Sequence, residues 1–291
     1  MFQLDFVQNA FLAGTIVAIV AAIAGYFVVL RAQAFAGHAL SHIGFAGATG
    51  AAIMGISPLL GTFAFTLLAA AGIGALGERV RGRDLEIGMV LSFALGLGVL
   101  FLKLYTQFAT TTVNVLFGSI LSVSHSDVLV MLVCGLTVVL LIAVFFRPLL
   151  FASIDPEVAQ ARGVPVRFLS IAFMFVLAIV ISEAVQVVGV LLVFALLVAP
   201  AATAERLTRR PLTTVCLAVL LALLFTWSGL ILTFIGRWPV SFYIAALSSL
   251  SYVAAVIISR WRTPRRYKEP VHPSRECIGE HHKTAPVVHS R

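Results

Sequence analysis

Ala34-Phe35-Ala36-Gly37-His38-Ala39-Leu40-Ser41-His42-Ile43-Gly44-Phe45-Ala46-Gly47-Ala48-Thr49-Gly50-Ala51-Ala52-Ile53-Met54-Gly55-Ile56 carries no lysine, arginine, aspartate or glutamate. About 20 such residues in a helix cross the hydrocarbon core of a bilayer. Within this run, His38 and His42 stand four residues apart, so a helix points both imidazoles from one face. Ionisable groups at membrane depth are costly and read by default as part of a substrate path. Imidazole is also a common ligand for transition metals. Gly37, Ser41, Gly44, Gly47, Ala48 and Ala51 recur at spacings of three and four, the pattern that lets helices approach closely. On the residues alone, a second reading of the histidine pair stays open: hydrogen bonding across helices as packing glue.

The rest of the chain extends this picture. Of its 291 residues, 60% are apolar and 11% charged, against about 25% charged in soluble domains. The apolar runs are continuous rather than alternating, which argues against a membrane barrel. Nine candidate spans follow, at about 9–30, 34–56, 58–77, 85–104, 127–146, 168–182, 187–204, 212–235 and 239–259. The sixth and seventh are short and nearly continuous, which suggests a re-entrant pair or spans of different depth. The expected fold class is all-α, a polytopic helical membrane protein of eight or nine transmembrane helices.

Basic residues orient such a bundle, because they accumulate on the cytoplasmic side. Placing Arg31, Arg79, Arg81, Arg83, Arg147, Arg162, Arg167, Arg206, Arg209, Arg210 and the basic residues from Arg260 onward on one side gathers eighteen of the twenty Lys and Arg there. Only Lys103 and Arg237 fall opposite. The N-terminus is therefore expected outside and the C-terminus in the cytoplasm. Topology accounts for the formal charge of +8, and no nucleic-acid partner is needed to explain it.

A transmembrane domain over 1–260 is expected to give way to a disordered cytoplasmic tail over 261–291. Pro264, Pro270, Pro273 and Pro286 punctuate that polar tail. It holds His272, His281, His282 and His289 around Cys277 and Glu280. A weak metal-sensing tail and a solvated basic tail are both compatible with this composition. Cys134 and Cys216 lie in apolar spans, where a free cysteine behaves as a small hydrophobe.

Several chemistries are missing. None of the three lysines follows a glycine in a phosphate-binding loop, so this polypeptide has no such device for ATP. No His-Glu-x-x-His run supports a membrane metalloprotease. The carboxylates Glu78, Asp84, Glu86, Asp127, Glu183 and Glu205 are read at span ends. Glu183 and Gln186, between the sixth and seventh spans, are expected to cap a helix or line an entry route, and Asp127 to supply helix-start charge.

One connection has the signals of a short helix. Asp155 is a good N-cap, Pro156 a good first residue, and Glu157 complements the helix dipole. Gly163 permits a left-handed stop and Pro165 forbids continuation. The helix Pro156–Arg162, which includes Ala159, is too short to stand alone. It must rest on a partner subunit or on the chain's own transmembrane helices.

Gly37-His38-Ala39-Leu40-Ser41-His42, soon after Arg31, resembles the Gly-Asp-Ala-Leu-Ser-His signature of zinc/manganese ABC importer permeases. Further matching segments follow in order: Asp84-Leu85-Glu86-Ile87-Gly88; Asn114-Val115-Leu116-Phe117-Gly118-Ser119-Ile120-Leu121; Gly163-Val164-Pro165-Val166; Gly189-Val190-Leu191-Leu192-Val193; and Ala199-Pro200-Ala201-Ala202-Thr203-Ala204. The resemblance covers about residues 5 to 260. It implies a type II ABC importer permease fold in the bacterial inner membrane. It also implies a cytoplasmic ABC ATPase dimer that performs hydrolysis, an extracytoplasmic metal-binding protein and a second permease copy. The metal would meet His38 and His42, and the ATPase would dock on Asp155, Pro156, Glu157, Ala159, Arg162 and Gly163. No permanently bound cofactor is expected, only the transported ion.

His42 matches the histidine of the signature, whereas His38 stands where the aspartate usually does. That replaces an anionic oxygen with a neutral nitrogen. Manganese prefers oxygen-rich surroundings and imidazole suits zinc, so zinc is the expected cargo, with manganese or iron as the alternative. Two facing copies would bring four imidazoles together, compatible with tetrahedral zinc. Release of the ion requires transient or incomplete coordination. A secondary carrier without ATPases is the reading from another class.

Overall fold

A computed structural model describes residues 5–75, 83–104, 118, 120, 123–236 and 238–262. Glu78, Arg79, Arg81, the loop residues Asn114 to Phe117, Ser119 and Leu121, Arg237 and the tail beyond Arg262 lie outside the described residues. The described chain forms ten helices and no strand. They are α1 (Asp5–Leu30), α2 (Ala34–Ile53), α3 (Pro58–Ala75), α4 (Arg83–Leu104), α5 (His125–Ile154), α6 (Pro156–Ala161), α7 (Val166–Val188), α8 (Val190–Leu207), α9 (Pro211–Ile235) and α10 (Val240–Arg262).

Nine of these are long, and each corresponds to one of the nine apolar segments. Six, namely α1, α4, α5, α7, α9 and α10, are long and apolar enough by themselves to cross a membrane. α2 is not among them, diluted as it is by two histidines and four glycines. The expectation for the sixth segment needs correction. It runs over Val166–Val188, 23 residues, and is a full-length span, not a short arm of a re-entrant pair. Gly189, at φ +85°, ends it and starts α8 at once, a backbone geometry that side chains with a Cβ rarely adopt.

The bundle is centred on α1 and α7, whose spans are 67% and 72% buried, against 17% for α4 and 22% for α10. α1 packs on α5, α7, α8 and α9; α7 packs on α1, α2, α3, α5 and α8. In lipid the tails are as apolar as leucine, so helix association depends on close packing and small residues. Ala10, Ala13, Ala18, Ala21, Ala22 and Ala24 supply that surface on α1. Gly25 lies directly against the Leu197 carbonyl of α8, and Gly47 of α2 against the Gly61 backbone of α3. A Cβ at any of these positions would collide with backbone.

Large apolar side chains on the outer faces, such as Leu85, Met89 and Phe93 of α4, are exposed. Such a surface suits lipid or another apolar partner rather than water.

The turn between α1 and α2 is set by backbone bonds. The Gln33 N–H donates to the Val28 carbonyl at 2.9 Å and the Ala32 N–H to the Val29 carbonyl at 3.0 Å. This pair is the Schellman helix stop, which needs a left-handed residue, usually glycine, just past the helix. Ala32 takes that place at φ +53°, the sole non-glycine with positive φ among the described residues.

Candidate metal path and docking helix

α2 runs unbroken from Ala34 to Ile53, so no unwound segment is needed to present its histidines. His38 is its fifth residue and His42 its ninth, which places both in the first half of the helix. Their rings meet edge to face, with centroids 4.6 Å apart and planes at 80°. His38 also meets Phe194 of α8 at 5.4 Å and 79°. Both histidines are half-buried. Ser41 on the same helix is fully buried and donates to the Gly37 carbonyl at 3.0 Å.

The spacing of four therefore does what helix geometry requires: two imidazole rings sit side by side at the rim of the interior. Among the described residues no group of three or more His, Cys, Asp and Glu gathers in one place. The described residues thus bring two imidazoles together with no third ligating side chain beside them.

Behind this pair the packing is polar in places. Thr66 of α3 and Ser182 of α7 share a buried hydroxyl contact of 2.8 Å. Gly44 of α2 faces the methyl groups of Thr62 and Thr66. At the α1–α2 turn, Arg31 donates to the Ser170 hydroxyl of α7. Its guanidinium lies 5.7 Å from the Phe173 ring centroid. Arg31 thus ties the start of the histidine helix to the first turns of α7.

Glu183 is not where the sequence reading placed it. It lies inside α7, 2% exposed, neither capping the helix nor solvated. Among the described residues neither of its carboxylate oxygens meets a donor in hydrogen-bond geometry, and the Cys134 thiol is the group close enough to interact with it. Glu183 faces Gly135 of α5. Gln186, one turn on, is half-buried, and among the described residues its side-chain oxygen also lacks a partner. These two polar residues interrupt the apolar run, so hydropathy alone ends the span before them. The one available signal was their spacing of three residues, which puts both on one helix face.

The short helix α6 follows its sequence signals closely. The Asp155 carboxylate accepts from the Val158 N–H at 3.0 Å, and Pro156 opens the helix. Gly163 takes φ +82°. Ala159 is fully buried against Ala152 of α5 and Val166 of α7, so it anchors the helix and presents nothing to a partner. Pro156, Glu157, Val158, Gln160 and Arg162 are exposed on the other side. Asp127, as expected, starts α5: it forms a reciprocal capping box with Ser124.

The class defined by this arrangement is a multi-pass helical membrane protein. The family model "ABC 3 transport family" matches residues 3–259, and the chain belongs to that family. It is 33% identical over 258 residues to "Manganese transport system membrane protein MntC" of Listeria innocua, covering 88% of this chain and 90% of that one. It is 32% identical over 263 residues to "Probable iron transport system membrane protein" of Haemophilus influenzae, covering 89% and 96%. Among solved structures, "PsaBC from Streptococcus pneumoniae in complex with Fab" superposes with a TM-score of 0.78 at 30% identity, covering 87% of this chain and 91% of that one.

Proposed function

We propose that this chain is the permease subunit of an ABC importer for a divalent transition metal, with manganese or iron as the cargo. The His38–His42 pair carries the reading: two imidazoles 4.6 Å apart at the rim of the interior, in a family with relatives named for manganese and iron transport. Those names favour the alternative of the sequence reading over zinc. Imidazole also suits iron, so the nitrogen pair does not require zinc. An ATPase-free carrier finds no support in a family of ABC permeases.

In this reading His38 and His42 offer neutral lone pairs to a passing dication, and two donors per chain keep the site weak enough to release it. A second permease copy would supply a second pair. The sparsely buried α4, packed on the histidine helix α2, is a suitable surface for that copy. The exposed side of α6, with Asp155, Pro156, Glu157, Arg162 and Gly163, would receive a cytoplasmic ATPase, while Ala159 fixes the helix to α5 and α7. Movement of α6 would reach α7 first, and through Ser170 and Arg31 the start of α2, in a cycle of alternating access. An extracytoplasmic metal-binding protein would deliver the ion at the opposite face. The basic residues support an outside N-terminus and a cytoplasmic C-terminus.

The test is metal accumulation, measured by mass spectrometry of cells that express this chain with an ABC ATPase and an external binding protein. His38→Ala and His42→Ala are each expected to lower manganese or iron uptake by about tenfold or more, the scale on which metal-site residues act. Unchanged uptake by variants that still assemble would remove the assigned role. Accumulation dominated by zinc would restore zinc as the cargo.

A further inference from the structure

Three rings cluster beside the first half of α2, and one of them carries no metal donor. Phe194 of α8 is half-buried. Its ring meets that of His38 edge to face, with centroids 5.4 Å apart and planes at 79°, while His38 meets His42 at 4.6 Å and 80°. Near-perpendicular rings at such distances are a favoured geometry of aromatic pairs. Contacts one turn along α8 hold Phe194 in register, because residues three apart share a helix face. The Leu197 side chain lies 3.3 Å from where a Cβ on Gly37, the residue before His38, would stand. The Leu197 carbonyl abuts Gly25 of α1, and Leu197 itself is 1% exposed. Phe194 therefore stands on a helix seated directly against α1 and α2, not on a loop.

A helix does not orient a histidine by its backbone alone. The first side-chain torsion is limited to two wells, but the torsion that turns the ring is broad. The direction of a nitrogen lone pair is then set by whatever packs on the ring. His42 is a poor support for His38, since in the metal reading its own ring turns to the ion. Phe194 has no donor and comes from a separate helix. We propose that Phe194 is a positioning residue for the metal path, its ring holding the His38 imidazole in the orientation that meets an incoming divalent cation. His42, whose ring contact among the described residues is with His38, completes the pair by turning to the ion. The inference rests on the metal reading of the histidine pair and adds that the two donors are unequal, one preset and one mobile. Phe194 touches no ion and acts through His38. Presetting one ring removes an ordering cost from binding, which is how a supporting shell sharpens a site.

The probe is manganese(II), titrated into the purified full-length permease in its assembled complex. The electron paramagnetic resonance signal of the free aqueous ion reports binding, and the quantity compared is the portion that His38→Ala removes. Phe194→Ala and Phe194→Leu are each expected to weaken that portion by about three- to tenfold, the worth of one aromatic pair. Phe194→Leu fills most of the space without a ring, so it keeps the test sound if Phe194→Ala fails to assemble. Phe194→Tyr keeps the ring and should bind as the native protein does. In a His38→Ala background, Phe194→Ala should weaken binding no further, because the ring it would orient is gone. In uptake, Phe194→Leu should raise KM and leave the maximal rate in place. Native affinity in Phe194→Leu would overturn the proposal, as would equal losses in Phe194→Tyr and Phe194→Leu. A loss that adds to that of His38→Ala would reduce Phe194 to general packing and overturn it too. If His38→Ala weakens binding and the Phe194 variants do not, this inference alone falls. If His38→Ala binds manganese as the native protein does, the metal reading falls and takes this inference with it.

Discussion

His38 presents a nitrogen where the resembled signature carries an aspartate, and its ring packs against both His42 and Phe194. Exchanging it for a carboxylate adds negative charge and a hard oxygen donor beside His42. His38→Asp is therefore expected to raise the ratio of manganese to iron taken up by several-fold, measured in mixed-metal uptake; a ratio that stays put would undercut the ligand argument. Ala32 poses a different single-residue question. A residue with a Cβ in the left-handed region costs roughly 1–2 kcal/mol. The greater unfolded freedom of glycine offsets about 0.5–1 kcal/mol of that. Ala32→Gly should stabilise the purified protein by about 0.5–1 kcal/mol, a rise of roughly 1–4 °C in its thermal midpoint. Ala32→Val should move the midpoint down. The position of Ala32 in the helix stop was not apparent from sequence, because alanine there gives no turn signal.

At the scale of elements, small residues decide which helices touch. The Gly47–Gly61 contact brings α2 and α3 into backbone contact, and α2 is the helix that holds the histidines. Gly47→Leu or Gly61→Leu should destabilise the bundle by about 1–3 kcal/mol or more, as overpacking does in other interiors. The yield of monodisperse detergent-extracted protein reports it. Gly72→Leu on the same α3 meets no described residue within 4 Å of the point where its Cβ would stand, and should leave that yield unchanged. A matching loss at Gly72 would mean that glycine content, and not the α2–α3 contact, sets stability. The cap of α6 was legible because Asp155, Pro156 and Gly163 act locally on their own backbone. The length of α7 was not, because Glu183 is polar and yet buried beside α1 and α5, a fact of packing rather than of local chemistry.

The whole molecule is a core of α1, α7 and α8 surrounded by helices that keep apolar faces outward. Those faces and the asymmetry of its basic residues bear on how it sits in the membrane. With eighteen of twenty Lys and Arg assigned to one side, a cytoplasmic C-terminus is expected. A fluorescent reporter fused after Arg262 should light up inside the cell. Alkaline phosphatase, active only outside, should be active when fused after Leu104 and silent after Arg262. The reverse pattern would invert the bundle and detach α6 from any cytoplasmic ATPase.

The sequence by itself determined the all-helical membrane architecture, the nine long helices, the capped connector α6 and the shared face of His38 and His42. Each follows from composition or from spacing along one helix, and such local rules need no knowledge of neighbours. Only the tertiary structure decided that His38 packs against Phe194, that Ala159 points inward, that Arg31 reaches Ser170 and Phe173, and that Glu183 is enclosed. These depend on which helix lies beside which, and that is set by backbone-to-backbone fits such as Gly25 on Leu197 and Gly47 on Gly61. In a medium where every apolar side chain is equally at home, hydrophobicity places helices in the membrane but does not choose their neighbours; shape complementarity between distant segments does.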